Sequence, residues 1–115
     1  MGRAWQLEHP ERMQQLKVQR IKLSLEWVTK LKAETPCADC RMYYDPVCMD
    51  FDHVRGVKRK KITTLVYDGY SRAVILEEIA KCELVCSNCH RIRTWKSDRD
   101  TPWYDKIRKY DRTNW

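Results

Sequence analysis

No stretch of this sequence stays apolar for long. No run approaches the roughly 20 residues that a membrane-crossing helix needs. The first 16 residues are polar and charged, without the apolar segment of a secretory signal. These absences lead us to expect a cytosolic protein with no membrane partner. Internal repeats and low-complexity tracts are also missing, which argues against a solenoid or a biased linker. At 115 residues there is room for one small domain. Its limited core would gain from a structural metal.

Acidic residues are in the minority. Lys and Arg number 23 against 16 Asp and Glu, a formal net charge of +7. That balance favours a polyanionic partner, nucleic acid being the commonest, and a merely soluble basic protein is the plain alternative.

Glycine and proline are absent from residues 11–35, so one long helix is expected over 10–34, stopped by Pro36. Met13, Ile21, Leu25, Val28 and Leu31 form its apolar stripe, with Leu23 and Trp27 beside them. Arg12, Lys17, Arg20, Lys22, Lys30 and Lys32 make a basic remainder, read as a solvated face able to touch phosphates. Residues 47–54 include several strand formers and predict a short strand ending at His53. Residues 62–67 suit a short helix or turn capped by Thr63. Ser71 is a natural cap for a second helix over 72–81. A brief extended segment over 83–85 and a helix over 90–96 follow. Thr101-Pro102 then signals a last helix striped by Trp103, Ile107 and Tyr110.

The six cysteines include two CxxC pairs, Cys37/Cys40 and Cys86/Cys89. In a reducing compartment this spacing points to metal ligation, and four thiolates suit one tetrahedral structural Zn2+. Closing the long interval between the pairs would tie the two ends of the core together. Cys48 and Cys82 lack a CxxC partner and read as small core residues.

Three further residues carry chemistry. Asp52 and His53 adjoin at the expected strand end, and His90 directly follows the last thiol. A phosphodiesterase can use Asp52 as a hard oxygen ligand for a divalent cation and His53 as a base titrating near neutrality. His90 would be a second ligand to that cation, or else a substitute zinc ligand in a three-Cys, one-His site. Residues 55–61 contain no acid. Arg55, Lys58, Arg59, Lys60 and Lys61, with Arg91 and Arg93, are the candidates for holding a DNA backbone.

Residues 35–94 resemble the HNH endonuclease family, in its four-cysteine, zinc-binding branch often found in bacteriophages. Met49-Asp-Phe-Asp-His-Val54 is similar to the family's first motif. Ile75-Leu-Glu-Glu-Ile-Ala-Lys-Cys82, followed by Cys86-Ser-Asn-Cys-His-Arg91, is similar to its closing block. The resemblance implies an α+β fold: a small ββα-metal core stapled by zinc, with a long N-terminal helix and a short C-terminal one. It implies His53 as general base and Asp52 and His90 as ligands of a catalytic divalent ion, Mg2+ or Mn2+, with Ni2+ or Zn2+ as further options. The products would carry 5′-phosphate and 3′-hydroxyl ends. By analogy alone it suggests a phage terminase partner, a homodimer for double-strand cutting and, for a phage-encoded protein, the host cytoplasm. The corresponding division is 1–34 basic helix, 35–97 nuclease core and 98–115 tail.

One departure stands out. The middle Asn that braces the catalytic loop in many members has no counterpart, since no Asn occurs between His53 and Cys86. Thr63, Thr64 and Asp68 are the candidate substitutes. Asn88 lies in the second CxxC turn and reads as a turn residue. The competing reading is a non-catalytic zinc module that binds nucleic acid or protein, with a thiol redox protein third.

Overall fold

The structure, a computed structural model, describes residues 3–98. The expected helix after Thr101-Pro102, and with it the 98–115 tail apart from Asp98, lies outside the described residues. The short helix α1 (Arg3–Glu8) was not foreseen. It leads through His9 into α2 (Pro10–Glu34), where Pro10 occupies the first turn, its ring fixing φ and its missing N–H costing nothing. Thr35 is extended, φ −116° and ψ 125°, because Pro36 clashes with an α conformation in the residue before it. The Thr35 hydroxyl donates to the Leu31 carbonyl at 2.7 Å, meeting one of the helix's orphan acceptors.

The buried stripe of α2 differs from the expected one. Ser24 and Val28 are buried and Ile21, Trp27 and Leu31 half-buried, whereas Leu23 and Leu25 are exposed. At 100° per residue, positions 17, 21, 24, 28 and 31 share one face and Leu25 falls off its edge.

A 3-10 turn (Pro46–Cys48) takes the place of the first residues of the expected strand, and β1 spans Met49–His53. The turn is capped by the Asp45 side chain, which accepts from the Val47 N–H. Helix α3 (Ile62–Tyr67) starts after Lys61 with no side-chain cap, so Thr63 lies inside the helix rather than capping it. It closes with the Tyr70 N–H on the Leu65 carbonyl and the Gly69 N–H on that of Val66, the paired bonds of a Schellman ending. Gly69 takes φ +77°, and a Cβ there would meet Lys17 Cγ at 3.1 Å, so both conformation and space favour glycine.

Ser71 caps α4 (Arg72–Ile79) as expected, its hydroxyl accepting from the Val74 N–H. The helix stops at Ile79 rather than Lys81. The carbonyls of Ala80 and Lys81 are taken instead by the Arg55 guanidinium and by the amides of Val54 and Arg55. Strand β2 (Cys82–Cys86) pairs antiparallel with β1, Met49 opposite Cys86 and His53 opposite Cys82. Helix α5 (Ser87–Asp98) follows at once. The result is a small α+β fold around a two-stranded antiparallel sheet.

Two apolar clusters hold it together. Val28, Ile62, Leu65, Val66 and Ile75 form one; Cys37, Met49, Leu84, Val85 and Cys86 form the other. Phe51, the sole phenylalanine of the sequence, packs against both. Among the described residues no helix is long and apolar enough to cross a membrane.

Candidate metal centre and catalytic cleft

The sulfurs of Cys37, Cys40, Cys86 and Cys89 all lie within 4.8 Å of one another. A tetrahedron with Zn–S of about 2.3 Å has S···S edges of about 3.8 Å, so this donor set can hold a metal ion such as zinc. The backbone prepares it. Amide N–H groups of Cys86 and Cys89 donate to Cys37 Sγ and Cys86 Sγ at 3.3 and 3.4 Å, and Arg41 turns the first loop with φ +66°. Burial pushes the Cys37 thiol up, but amide hydrogen bonds from Cys40, Cys86 and Asp39 outweigh it and bring the pKa down to about 6. Cys89 is driven the other way, to about 12, first by its hydrogen bond with Cys86 and then by burial and the other two sulfurs. Four crowded thiolates repel one another, and a divalent cation offsets that repulsion. Cys48 and Cys82 stay outside the cluster. Burial, with the charges of Glu78 and Asp52, pushes the Cys82 thiol up to about 11, which makes it unreactive.

The sheet carries this centre at one end and the candidate catalytic residues toward the other. Period-2 alternation puts Asp50 and Asp52 on the face that α5 covers. His90, in the first turn of α5, lies between them: Nδ1 is 3.1 Å from Asp50 Oδ2 and Nε2 is 3.7 Å from Asp52 Oδ1. Two donors each about 2.1 Å from one ion sit roughly 3.0 to 3.7 Å apart, so Asp52 and His90 fit a shared divalent ion. By its contact with Nδ1, Asp50 fixes the orientation of the His90 ring. Its role was not seen in the sequence, although its place two residues before Asp52 is a signal that was there to read.

His53 belongs to the opposite face of the strand. Its Nε2 is 2.9 Å from Glu78 Oε2, on α4. Asp52, His53 and His90 nonetheless line one cleft of about 540 Å³, together with Lys32, Asp50, Lys58 and Lys61. Lys32, which in the sequence reads as part of a solvated face able to touch phosphates, is placed in the cleft itself. It lies over the Phe51 ring at 5.3 Å, and burial pulls its ammonium below the usual lysine range while Asp50 pulls it back up.

The expected phosphate-gripping residues divide. Lys58 and Lys61 line the cleft and Arg91 is exposed on α5. Arg55 donates to the Ala80 and Cys82 carbonyls at 2.6 and 3.3 Å. Arg59 and Lys60 lie over Tyr70, and Lys60 also reaches Asp68. Arg93 is bidentate on Asp39 at 2.6 Å and touches Asp52 and Glu83; those hydrogen bonds, led by Asp39, hold its pKa above the usual arginine value. It therefore links the first cysteine turn to the cleft. The loop over 54–61 is braced chiefly by Glu78 and Lys81, which bond the Arg59 N–H and the Val57 carbonyl; of the candidate substitutes Thr63, Thr64 and Asp68, Asp68 touches it through Lys60 Nζ at 3.4 Å.

Comparison with protein-family models, with curated proteins and with solved structures gives no match to this chain.

Proposed function

We propose that this protein is a metal-dependent DNA endonuclease of the HNH class, with His53 as general base and Asp52 and His90 as ligands of the catalytic ion. The observation that carries the reading is the meeting of those three side chains, drawn from β1 and α5, in one cleft edged by Lys32, Lys58 and Lys61. The order β1, β2, α5 beside a four-cysteine cluster supports a ββα-metal core with structural zinc.

The lysines and the net charge of +7 favour a polyanionic strand in the cleft. A bound divalent ion supplies charge neutralisation at the phosphate and at the departing oxygen. His53 takes a proton from a water molecule as its oxygen bonds to phosphorus. The P–O3′ bond breaks, and the 3′ oxygen gains a proton from solvent. The products are a 5′-phosphate and a 3′-hydroxyl. Sequence preference should be weak, because phosphate contacts carry no base information.

The test is cleavage of supercoiled plasmid with Mg2+ or Mn2+, beside an EDTA control and His53→Ala. Metal-dependent relaxation that disappears in the variant, with zinc still bound, supports the nuclease. Open circles mean nicking, and early linear product means a dimer cutting both strands. A protein that shifts DNA on a gel yet leaves it uncut whichever divalent ion is added is the non-catalytic zinc module.

A further inference from the structure

Glu78 is the most completely buried charged side chain among the described residues, at 2% exposure, and the sequence reading gave it no task. A buried carboxylate is costly unless its oxygens are met by donors. Here they are. Oε2 faces His53 Nε2 and the Arg59 N–H, both at 2.9 Å, while Oε1 faces Lys81 Nζ at 2.9 Å.

We infer that Glu78 is the positioning residue of the general base: it accepts the Nε2 proton of His53 and leaves Nδ1 as the ring nitrogen able to take a proton. This rests on the nuclease reading above. An ionised carboxylate can only accept hydrogen bonds. Hydrogen bonds from Lys81 first, then from the Arg59 amide and His53, outweigh burial and hold the Glu78 pKa near 2, so the group is ionised across the neutral range. His53 Nε2 must then be the donor. Because the same oxygen takes the Arg59 amide, the base and the basic loop are fixed by one atom. Lys81 extends the clamp to the Val57 carbonyl at 2.7 Å. A neutral imidazole held in one tautomer is ready for proton transfer, whereas an unheld one divides its population between two.

The experiment uses the zinc-loaded full chain with 15N-labelled histidine. Only three histidines contribute, and His53 is assigned by its loss in His53→Ala. At mildly alkaline pH, long-range proton–nitrogen correlation reads which ring nitrogen of His53 carries hydrogen. The wild type should show Nε2–H alone. Glu78→Met, of similar length but with no acceptor, should populate Nδ1–H and lower kcat roughly 100-fold with KM within about twofold. Glu78→Gln, which retains one acceptor oxygen, should recover part of that loss. An Nδ1–H tautomer in the wild type overturns the inference, and that spectrum decides even if the Met variant does not fold. Unchanged tautomer and kcat in Glu78→Met overturn it too. If the wild type cuts no DNA, the nuclease reading fails separately, because the tautomer is read without turnover.

Discussion

Arg93 Nη1 lies 2.9 Å from Asp52 Oδ2 and 3.3 Å from Glu83 Oε1. Those two carboxylates stand directly opposite each other across the antiparallel strand pair. Like charges in that position destabilise a sheet by up to roughly 1 kcal/mol, and the guanidinium between them reverses the sign. The same side chain holds Asp39, between the first two cysteines, and keeps its carboxyl below the usual carboxylate range. One arginine thus joins the thiolate cluster, the strand pair and the cleft.

Arg93→Ala should therefore lower both thermal stability and plasmid cleavage. Adding Glu83→Gln should restore part of the stability by removing one of the two facing charges, but not the cleavage. Thermal melts of the single and double variants measure the coupling; strictly additive effects would show that the Asp52–Glu83 repulsion is negligible.

Zinc content should follow the cysteines unevenly. Cys37→Ser and Cys86→Ser remove ligands from the buried side of the cluster and should leave protein without bound zinc and with its cooperative melt lost or much lowered. Cys48→Ala and Cys82→Ala should keep one zinc per chain. Metal analysis of the four purified proteins settles it.

Asp50→Asn weakens the anchor on His90 Nδ1 without touching a proposed ligand atom. Loss of such an outer partner typically reduces metal affinity about 10- to 100-fold. The Mn2+ concentration needed for half-maximal cleavage should rise by a factor in that range, while the rate at saturating Mn2+ changes much less. An unaltered titration would show that Asp50 does not tune the site.

Basic residues should separate by salt dependence. Each lysine that neutralises a phosphate adds roughly one unit to the slope of log K against log salt. Lys32→Ala, Lys58→Ala and Lys61→Ala should each flatten the slope by about that amount. Arg55→Ala should leave the slope unchanged and lower stability instead, since its guanidinium holds the carbonyls of Ala80, just past α4, and of Cys82, at the start of β2. Binding measured at several salt concentrations tests both statements.

Local chemistry was plain in the residues themselves. Pro10 and Pro36 bound α2, Ser71 caps α4, and Asp68-Gly69 ends α3, because each signal acts within one turn of chain. CxxC spacing likewise announced the thiolate cluster, since each short turn fixes two sulfurs and one tetrahedral ion takes four. Leu25 was misplaced because a stripe of period 3.6 has edges that spacing alone does not resolve.

The sequence by itself determined where helices start and stop, which cysteines gather and which histidines can do chemistry. Only the tertiary structure decided what holds those histidines. Glu78 reaches His53 across 25 residues, Asp50 reaches His90 across 40 and Arg93 reaches Asp39 across 54. In the linear chain a charged residue reads as solvated by default. Folding inverted that for Glu78, Arg93 and Lys32, because burial makes a charge seek its partner wherever the packing brings one within reach.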